Sequence, residues 1–187
     1  VERTVFGGYY QSGQSCISVQ RILVHEAVYE AFRAKFVAAV SRLRIGDPRD
    51  EETFIGPVIS EREAERIDGT IRRAVGDGAT LLCGGVRSGN LISPAVLEGV
   101  PHDSEASCEE VFGPVTLLAQ VASFQEALDE ANRSRYGLQA GVFTRNLERA
   151  LQAWDELRVG GVLINDVPSF RVDHMPYGGV KDSGQIG

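Results

Sequence analysis

The 187-residue chain is poor in the residues that staple, ligate or anchor a protein. It holds three cysteines, three histidines, one methionine and one tryptophan. Cys16, Cys83 and Cys108 are odd in number and widely spaced. That fits neither a disulfide framework nor a zinc site, and it favours a reducing, cytoplasmic setting. His25 and His102 lack metal-ligand spacing, so no metal is expected. Long apolar runs are also missing. The longest uncharged stretches, Thr4 to Gln20 and Val111 to Gln125, are broken by Gly, Ser and Gln or by Gly-Pro. Neither suits a bilayer-crossing helix, so no membrane partner is expected. Positive charge is scarce, with 19 Lys and Arg against 26 Asp and Glu. The basic residues are scattered rather than striped, which argues against nucleic acid. No P-loop, Gly-x-Gly-x-x-Gly or Ser-His-Asp signature is present. The N-terminus lacks the basic and apolar segments of a signal peptide. The chain opens at Val1 and its only methionine is Met175, so the reading is an excised piece of a longer protein.

What remains is an ordinary globular composition with enough residues for one real core. Thr4 to Gly13 is rich in Gly and Tyr and leads into a small-residue turn at Cys16. Arg21–His25 reads as a strand. Apolar residues at Val28, Phe32, Phe36, Ala39 and Leu43 give one helical face. Ser60 and Glu63 form a capping box opening a helix with Ala64, Ile67, Ile71 and Ala74 inside, and Ser123 and Glu126 form a second one. Thr80–Cys83, Pro94–Leu97, Val115–Val121, Gly141–Thr144 and Gly161–Ile164 read as short apolar strands. Leu147, Ala150, Leu151, Trp154 and Leu157 read as a further buried helix face. Helices alternating with short apolar strands predict an α/β fold, with a mainly parallel sheet covered by helices on both faces. In such sheets chemistry sits beyond the carboxyl ends of the strands. The long loops are the Cys16 turn, residues 98–114 and the tail after Ile164.

Three places in those loops offer chemistry. Cys16 lies among small residues in a turn, which gives a substrate room and supplies backbone N–H groups that favour a thiolate or hold an oxyanion. The alternative is a small buried hydrophobe. Glu109 and Glu110 can accept bonds from ligand hydroxyls beside the ring of Phe112, or form a solvated pair with Phe112 in the core. Arg171 can clamp an anion or pair internally with Asp166 or Asp173, and His174 is a possible acid or base.

Taken together, Gly13-Gln14-Ser15-Cys16, Glu109-Glu110-Val111-Phe112-Gly113-Pro114 and Met175-Pro176-Tyr177-Gly178-Gly179-Val180-Lys181-Asp182-Ser183-Gly184 resemble the aldehyde dehydrogenase superfamily, in the family's order and across almost the whole chain. The resemblance implies that Cys16 is the nucleophile. Its thiolate attacks an aldehyde to give a thiohemiacetal, hydride passes to NAD or NADP, and water releases the acid from a thioester. It implies that Glu110 binds the nicotinamide ribose, that Phe112 lies beside that end of the cofactor and that the Cys16 amide joins the oxyanion hole. Arg66 is a looser match near the adenosine ribose. The tail from Asn165 to Tyr177 is similar to lactaldehyde and phosphonoacetaldehyde dehydrogenases. On that basis Arg171 anchors a hydroxyl, carboxylate or phosphonate, and Phe170 and Tyr177 line the substrate tunnel.

The family's general base, in a Glu-Leu-Gly-Gly segment, and its oxyanion-hole Asn are not in this sequence. The expectation is therefore that residues 1–187 form a single catalytic domain without its dinucleotide-binding domain, inactive alone and drawn from a cytoplasmic homo-oligomer. Two alternatives are a coenzyme A-acylating enzyme of the same family and a non-catalytic remnant serving as an interaction module.

Overall fold

In the computed structural model, which describes residues 1–184, the elements follow in this order. Helix α1 (Glu2–Tyr9) runs through a 3-10 turn into the Cys16 turn. Next come β1 (Arg21–His25), α2 (Glu26–Val40), α3 (Glu61–Gly76), β2 (Thr80–Cys83), the small hairpin β3 (Arg87–Ser88) and β4 (Leu91–Ile92), and β5 (Ala95–Glu98). The chain continues through α4 (Glu105–Cys108), β6 (Val115–Val121), α5 (Phe124–Arg133), β7 (Tyr136–Gly137) and β8 (Gln139–Val142). It ends with α6 (Leu147–Glu156), β9 (Gly161–Ile164) and β10 (Val180–Lys181).

The main sheet has the order β1-β6-β5-β2, and its β1–β6 and β5–β6 pairs are parallel. Strand β2 closes one edge antiparallel to β5. A second, parallel pair, β8–β9, stands apart. The expected α/β class is therefore observed. Its two covered faces are visible residue by residue, because successive strand side chains point to opposite sides. Ala95, Leu97, Val115 and Leu117 pack with Ala64, Ile67 and Ile71 of α3. Their neighbours Val96 and Leu118 pack with Val5 and Tyr9 of α1 and with Tyr29, Phe36 and Val40 of α2. Leu128 of α5 and Ala153 and Leu157 form a smaller core against β8 and β9.

Both predicted capping serines cap their helices, accepting from the amides of Glu63 and Glu126. The reciprocal half differs in each case. Glu63 turns instead to Arg66, and Glu126 reaches the amide of Ala122.

Four readings are corrected. Helix α1 replaces the irregular Gly- and Tyr-rich lead. Its glycines lower helix propensity, but they are what its packing requires: a Cβ on Gly7 or Gly8 would lie 2.8 Å from Ser169 Oγ or Thr116 Cγ2. Helix α2 buries Phe36 and packs Phe32 and Ala39, with Leu43 after it, against the core as read, but Val28 is exposed, and Tyr29 and Val40 widen the buried face. Strand β8 lies two residues earlier than expected and leaves Phe143 exposed. In α6 the apolar stripe faces outward: Leu147 is 73% and Trp154 71% exposed, while small Ala153 faces the core.

A cleft of about 860 Å³ separates β1 from β8, and residues 21–25 and 138–144 line its opposite walls. Among the described residues, β1 pairs only with β6 and β8 only with β9, so two strand edges face this cleft unpaired.

Tyr9 fastens α1 to the sheet. Its fully buried hydroxyl donates to the carbonyl of Ala95 at 2.8 Å and meets Thr116 Oγ1 at 2.7 Å. Burial holds its pKa well above the ordinary tyrosine value, so it stays a donor. Tyr9→Phe is expected to lower unfolding stability by about 1–3 kcal/mol in a urea titration, because it strands a buried acceptor.

Candidate active site

The Cys16 turn and the Glu110–Phe112 loop sit at the amino ends of β1 and β6, not beyond carboxyl ends as expected. The register sets this: Arg21 pairs with Leu117, and Ala95 with Val115, so the segments just before the parallel strands converge. The tail after β9 arrives from the other side and meets Cys16.

Cys16 is exposed, at the second position of a turn closed by the Ser18 amide donating to the Ser15 carbonyl at 2.9 Å. Several ties hold the turn. Ser12 Oγ donates to the Gly56 carbonyl, and Gln14 Oε1 accepts from the Ile59 amide. Ser169 Oγ donates to the carbonyls of Gly7 and Ile17. Gly13, at φ 71°, presses so close to the Glu110 loop that a Cβ would fall 2.0 Å from the Gly113 carbonyl oxygen. Gln20 completes the joint. Its side chain accepts from the Val111 amide and donates to the carbonyls of Ala106 and Glu109. The sequence reading missed Gln20 and Ser169, and no local pattern marks either of them. Arg66 donates to the Val111 carbonyl at 2.7 Å and to Glu63, so in this chain it steadies the same loop.

The two carboxylates differ. Glu109 is held by Arg135 and by the Tyr136 hydroxyl. Its contact is the main reason the Tyr136 hydroxyl titrates above its ordinary value. Glu110 is exposed and has no hydrogen-bond partner among the described residues. Phe112 is not in the core: its backbone is left-handed at φ 49° and its ring is 41% exposed. Such a backbone is costly for a bulky residue, and it presents the side chain outward. Cys16, Glu109, Glu110 and Phe112 all line the cleft beside β1.

On the other side of the thiol, Tyr177 Oη lies 3.0 Å from Cys16 Sγ. The Arg171 guanidinium sits over the Tyr177 ring, 4.8 Å from its centre. The expected internal pairing of Arg171 is not formed, because Asp166 is claimed by Arg3 at 2.8 and 3.0 Å. Phe170 and Tyr177 are each 42% exposed. His174 is exposed, with no partner among the described residues. Tyr177 is seated by a close approach behind it, since a Cβ on Gly160 would fall 1.7 Å from the Gly178 carbonyl oxygen. Among the other cysteines, Cys83 is half buried, and burial raises its thiol. Cys108 donates to the His102 carbonyl. No cluster of metal-ligating side chains is found among the described residues, nor any helix long and apolar enough to cross a membrane.

An exposed cysteine that meets a Tyr–Arg pair and lines one cleft with an outward aromatic ring and a carboxylate unpaired among the described residues, on a helix-covered, mainly parallel sheet, defines a thiol-centred α/β site. The chain belongs to the aldehyde dehydrogenase family, whose profile matches residues 1–187. A lactaldehyde dehydrogenase of Methanococcus aeolicus is 45% identical over 98% of this chain and 39% of its own length. The structure of aldehyde dehydrogenase 21 from Physcomitrella patens, in complex with the reaction product succinate, superposes with a TM-score of 0.97 at 49% identity. It covers 98% of this chain and 38% of that one. The glyceraldehyde-3-phosphate dehydrogenase of Methanocaldococcus jannaschii, complexed with NADP, superposes at 0.94 with 38% identity, covering 98% of this chain and 40% of that one. The chain thus spans about two-fifths of these relatives.

The Arg3–Asp166 bridge ties α1 to the start of the loop after β9. The Arg3 hydrogen bond holds the Asp166 carboxyl below the ordinary aspartate value of 3.8. A depressed carboxylate stabilises the fold above that value and loses its contribution as pH falls through the lower folded one. Asp166→Asn is expected to lower the melting temperature at neutral pH and to flatten its further decline below about pH 4, read by thermal melts across that range.

Proposed function

We propose that this chain is the catalytic part of an NAD(P)-dependent aldehyde dehydrogenase that oxidises a short polar or anionic aldehyde to its carboxylic acid. One juxtaposition carries the reading: the exposed Cys16 thiol meets Tyr177, which lies under Arg171, and lines one cleft with Glu110 and Phe112. As thiolate, Cys16 Sγ adds to the aldehyde carbon and forms the carbon–sulfur bond of a thiohemiacetal. The amide of Cys16, which donates to no acceptor among the described residues, is available to the oxygen that takes up the charge.

The residues on the cleft side fit a dinucleotide. Glu110 offers an unclaimed acceptor for ribose hydroxyls, and Phe112 offers an outward ring face. NAD or NADP, when bound, supplies the hydride acceptor. Release of the acid from the Cys16 thioester requires a base to activate water, which we assign to polypeptide outside these residues together with the dinucleotide-binding domain. The unpaired edges of β1 and β8 and the outward apolar stripe of α6 support contact with such further polypeptide.

On the substrate side, Arg171 has no carboxylate partner among the described residues, which leaves its guanidinium able to hold an anion or hydroxyl. Phe170 and Tyr177 wall the approach. The relatives named for lactaldehyde, for glyceraldehyde 3-phosphate and for a succinate product all handle short polar or anionic molecules.

Two outcomes are expected. The 187-residue chain alone gives no aldehyde-dependent reduction of NAD or NADP in a spectrophotometric assay; sustained turnover would remove the assignment of the base to other polypeptide. In a complete enzyme carrying this domain, Arg171→Leu lowers kcat/KM for an anionic aldehyde roughly tenfold or more relative to a neutral one of similar size. An equal loss on both substrates would remove Arg171 as the anchor.

A further inference from the structure

The Tyr177 hydroxyl is the one side-chain group within hydrogen-bond distance of the Cys16 thiol among the described residues, at 3.0 Å. The nearby Tyr10 hydroxyl is already committed to Ser15 Oγ. The charged and titratable groups about the pair are Arg171 over the Tyr177 ring and Tyr10 beside it. The carboxylates of Glu109 and Glu110 line the adjoining cleft. A phenylalanine at position 177 would wall a tunnel equally well but could not touch the sulfur through a hydroxyl.

We propose that Tyr177 is a hydrogen-bond donor to the nucleophile, holding Cys16 Sγ as a directed thiolate before the aldehyde arrives. This rests on the reading of Cys16 as the nucleophile. Burial, then the contact with Cys16, pushes the Tyr177 phenol up to about 12. At neutral pH the phenol therefore keeps its proton, and in a thiolate pair only the phenol can donate. Gly160 and Gly178 fix the backbone behind Tyr177, so the bond also limits the arc over which the sulfur swings. When sulfur bonds to carbon it becomes a weak acceptor and the hydroxyl is released, so no proton is consumed by this contact.

The proposal has a signature that a wall residue would not give. A donated bond raises the fraction of thiolate at neutral pH but lowers the nucleophilicity of each thiolate, with a Brønsted slope of about 0.4–0.5. A bond to a charged acceptor moves a thiol titration by about one pH unit. Removing it therefore changes the rate in opposite directions at the two ends of the pH range.

The test is the pH profile of Cys16 alkylation by iodoacetamide in the 187-residue chain, read by peptide mass spectrometry with Cys83 and Cys108 as internal references. Tyr177→Phe is expected to shift the half-plateau pH upward by about one unit, to slow labelling near neutrality about threefold and to raise the alkaline plateau about threefold. Replacing Tyr177 by 3-fluorotyrosine, a stronger donor of nearly the same shape, is expected to shift the half-plateau pH downward. An unchanged profile for both variants, with Cys16 still the fastest thiol, overturns the proposal and leaves the reading of Cys16 standing. Labelling of Cys16 in the unaltered chain no faster than Cys83 and Cys108 overturns that reading, and this proposal with it. A Tyr177→Phe chain slower at every pH shows a lost fold or a lost wall, and also overturns it.

Discussion

The site rests on a contact between two glycines. Gly13 lies so close to the carbonyl of Gly113 that any side chain on it would overlap the backbone opposite. That contact brings the turn bearing the thiol within reach of the loop bearing Glu110 and Phe112, although β1 and β6 each begin several residues later. The parallel pairing of those strands sets the direction of the two segments, and Gln20 fixes their spacing by bonding to three backbone groups of the Ala106–Val111 stretch. A side chain at Gly13 would force these two loops apart.

Around this joint the charges are divided so that reactive groups stay free. Arg135 and Tyr136 occupy Glu109, and Arg3 occupies Asp166. Those pairs leave Glu110 without a partner and Arg171 without a carboxylate among the described residues. Exposed pairs of this kind add little stability. Their effect is on availability: neighbouring acids and bases satisfy one another, and Glu110 and Arg171 are left open to a ligand. Phe112 follows the same logic at the level of the backbone, where a left-handed conformation turns an aromatic ring outward.

The surroundings of the thiol therefore differ in kind. The cleft it lines also holds a carboxylate and an outward aromatic ring. Its direct neighbour is a phenol, with a guanidinium over the phenol ring. On the function proposed above, these two settings would serve the nucleoside end of a cofactor and a small polar aldehyde, and the Tyr177 hydroxyl would link the second of them to the sulfur itself.

Much of this was legible in the sequence, and the exceptions share a cause. The α/β class, both capping serines, β1, β2, β6 and β9 follow from signals carried within a few residues: alternation, side-chain caps and β-branched runs. Three motifs in order pointed to Cys16, Glu110, Phe112 and Tyr177, and the tail from Asn165 to Tyr177 pointed to Phe170 and Arg171; the fold brings Tyr177, with Arg171 over its ring, to Cys16 and puts Cys16 in one cleft lining with Glu110 and Phe112. The sequence alone did not determine which stripe of α6 is buried, or how wide the buried face of α2 is, because both helices carry apolar residues on more than one side and the neighbouring sheet selects the face. It hid α1, whose glycines argue against a helix until the close packing that needs them is visible. It could not assign partners either. Arg171 had two acids within reach along the chain, yet Asp166 bonds to Arg3 from 163 positions away in the sequence, and Cys16 meets Tyr177 across 161 residues. Local conformation is written in neighbouring residues, whereas exposure and pairing are set by surfaces that exist only once distant segments have packed.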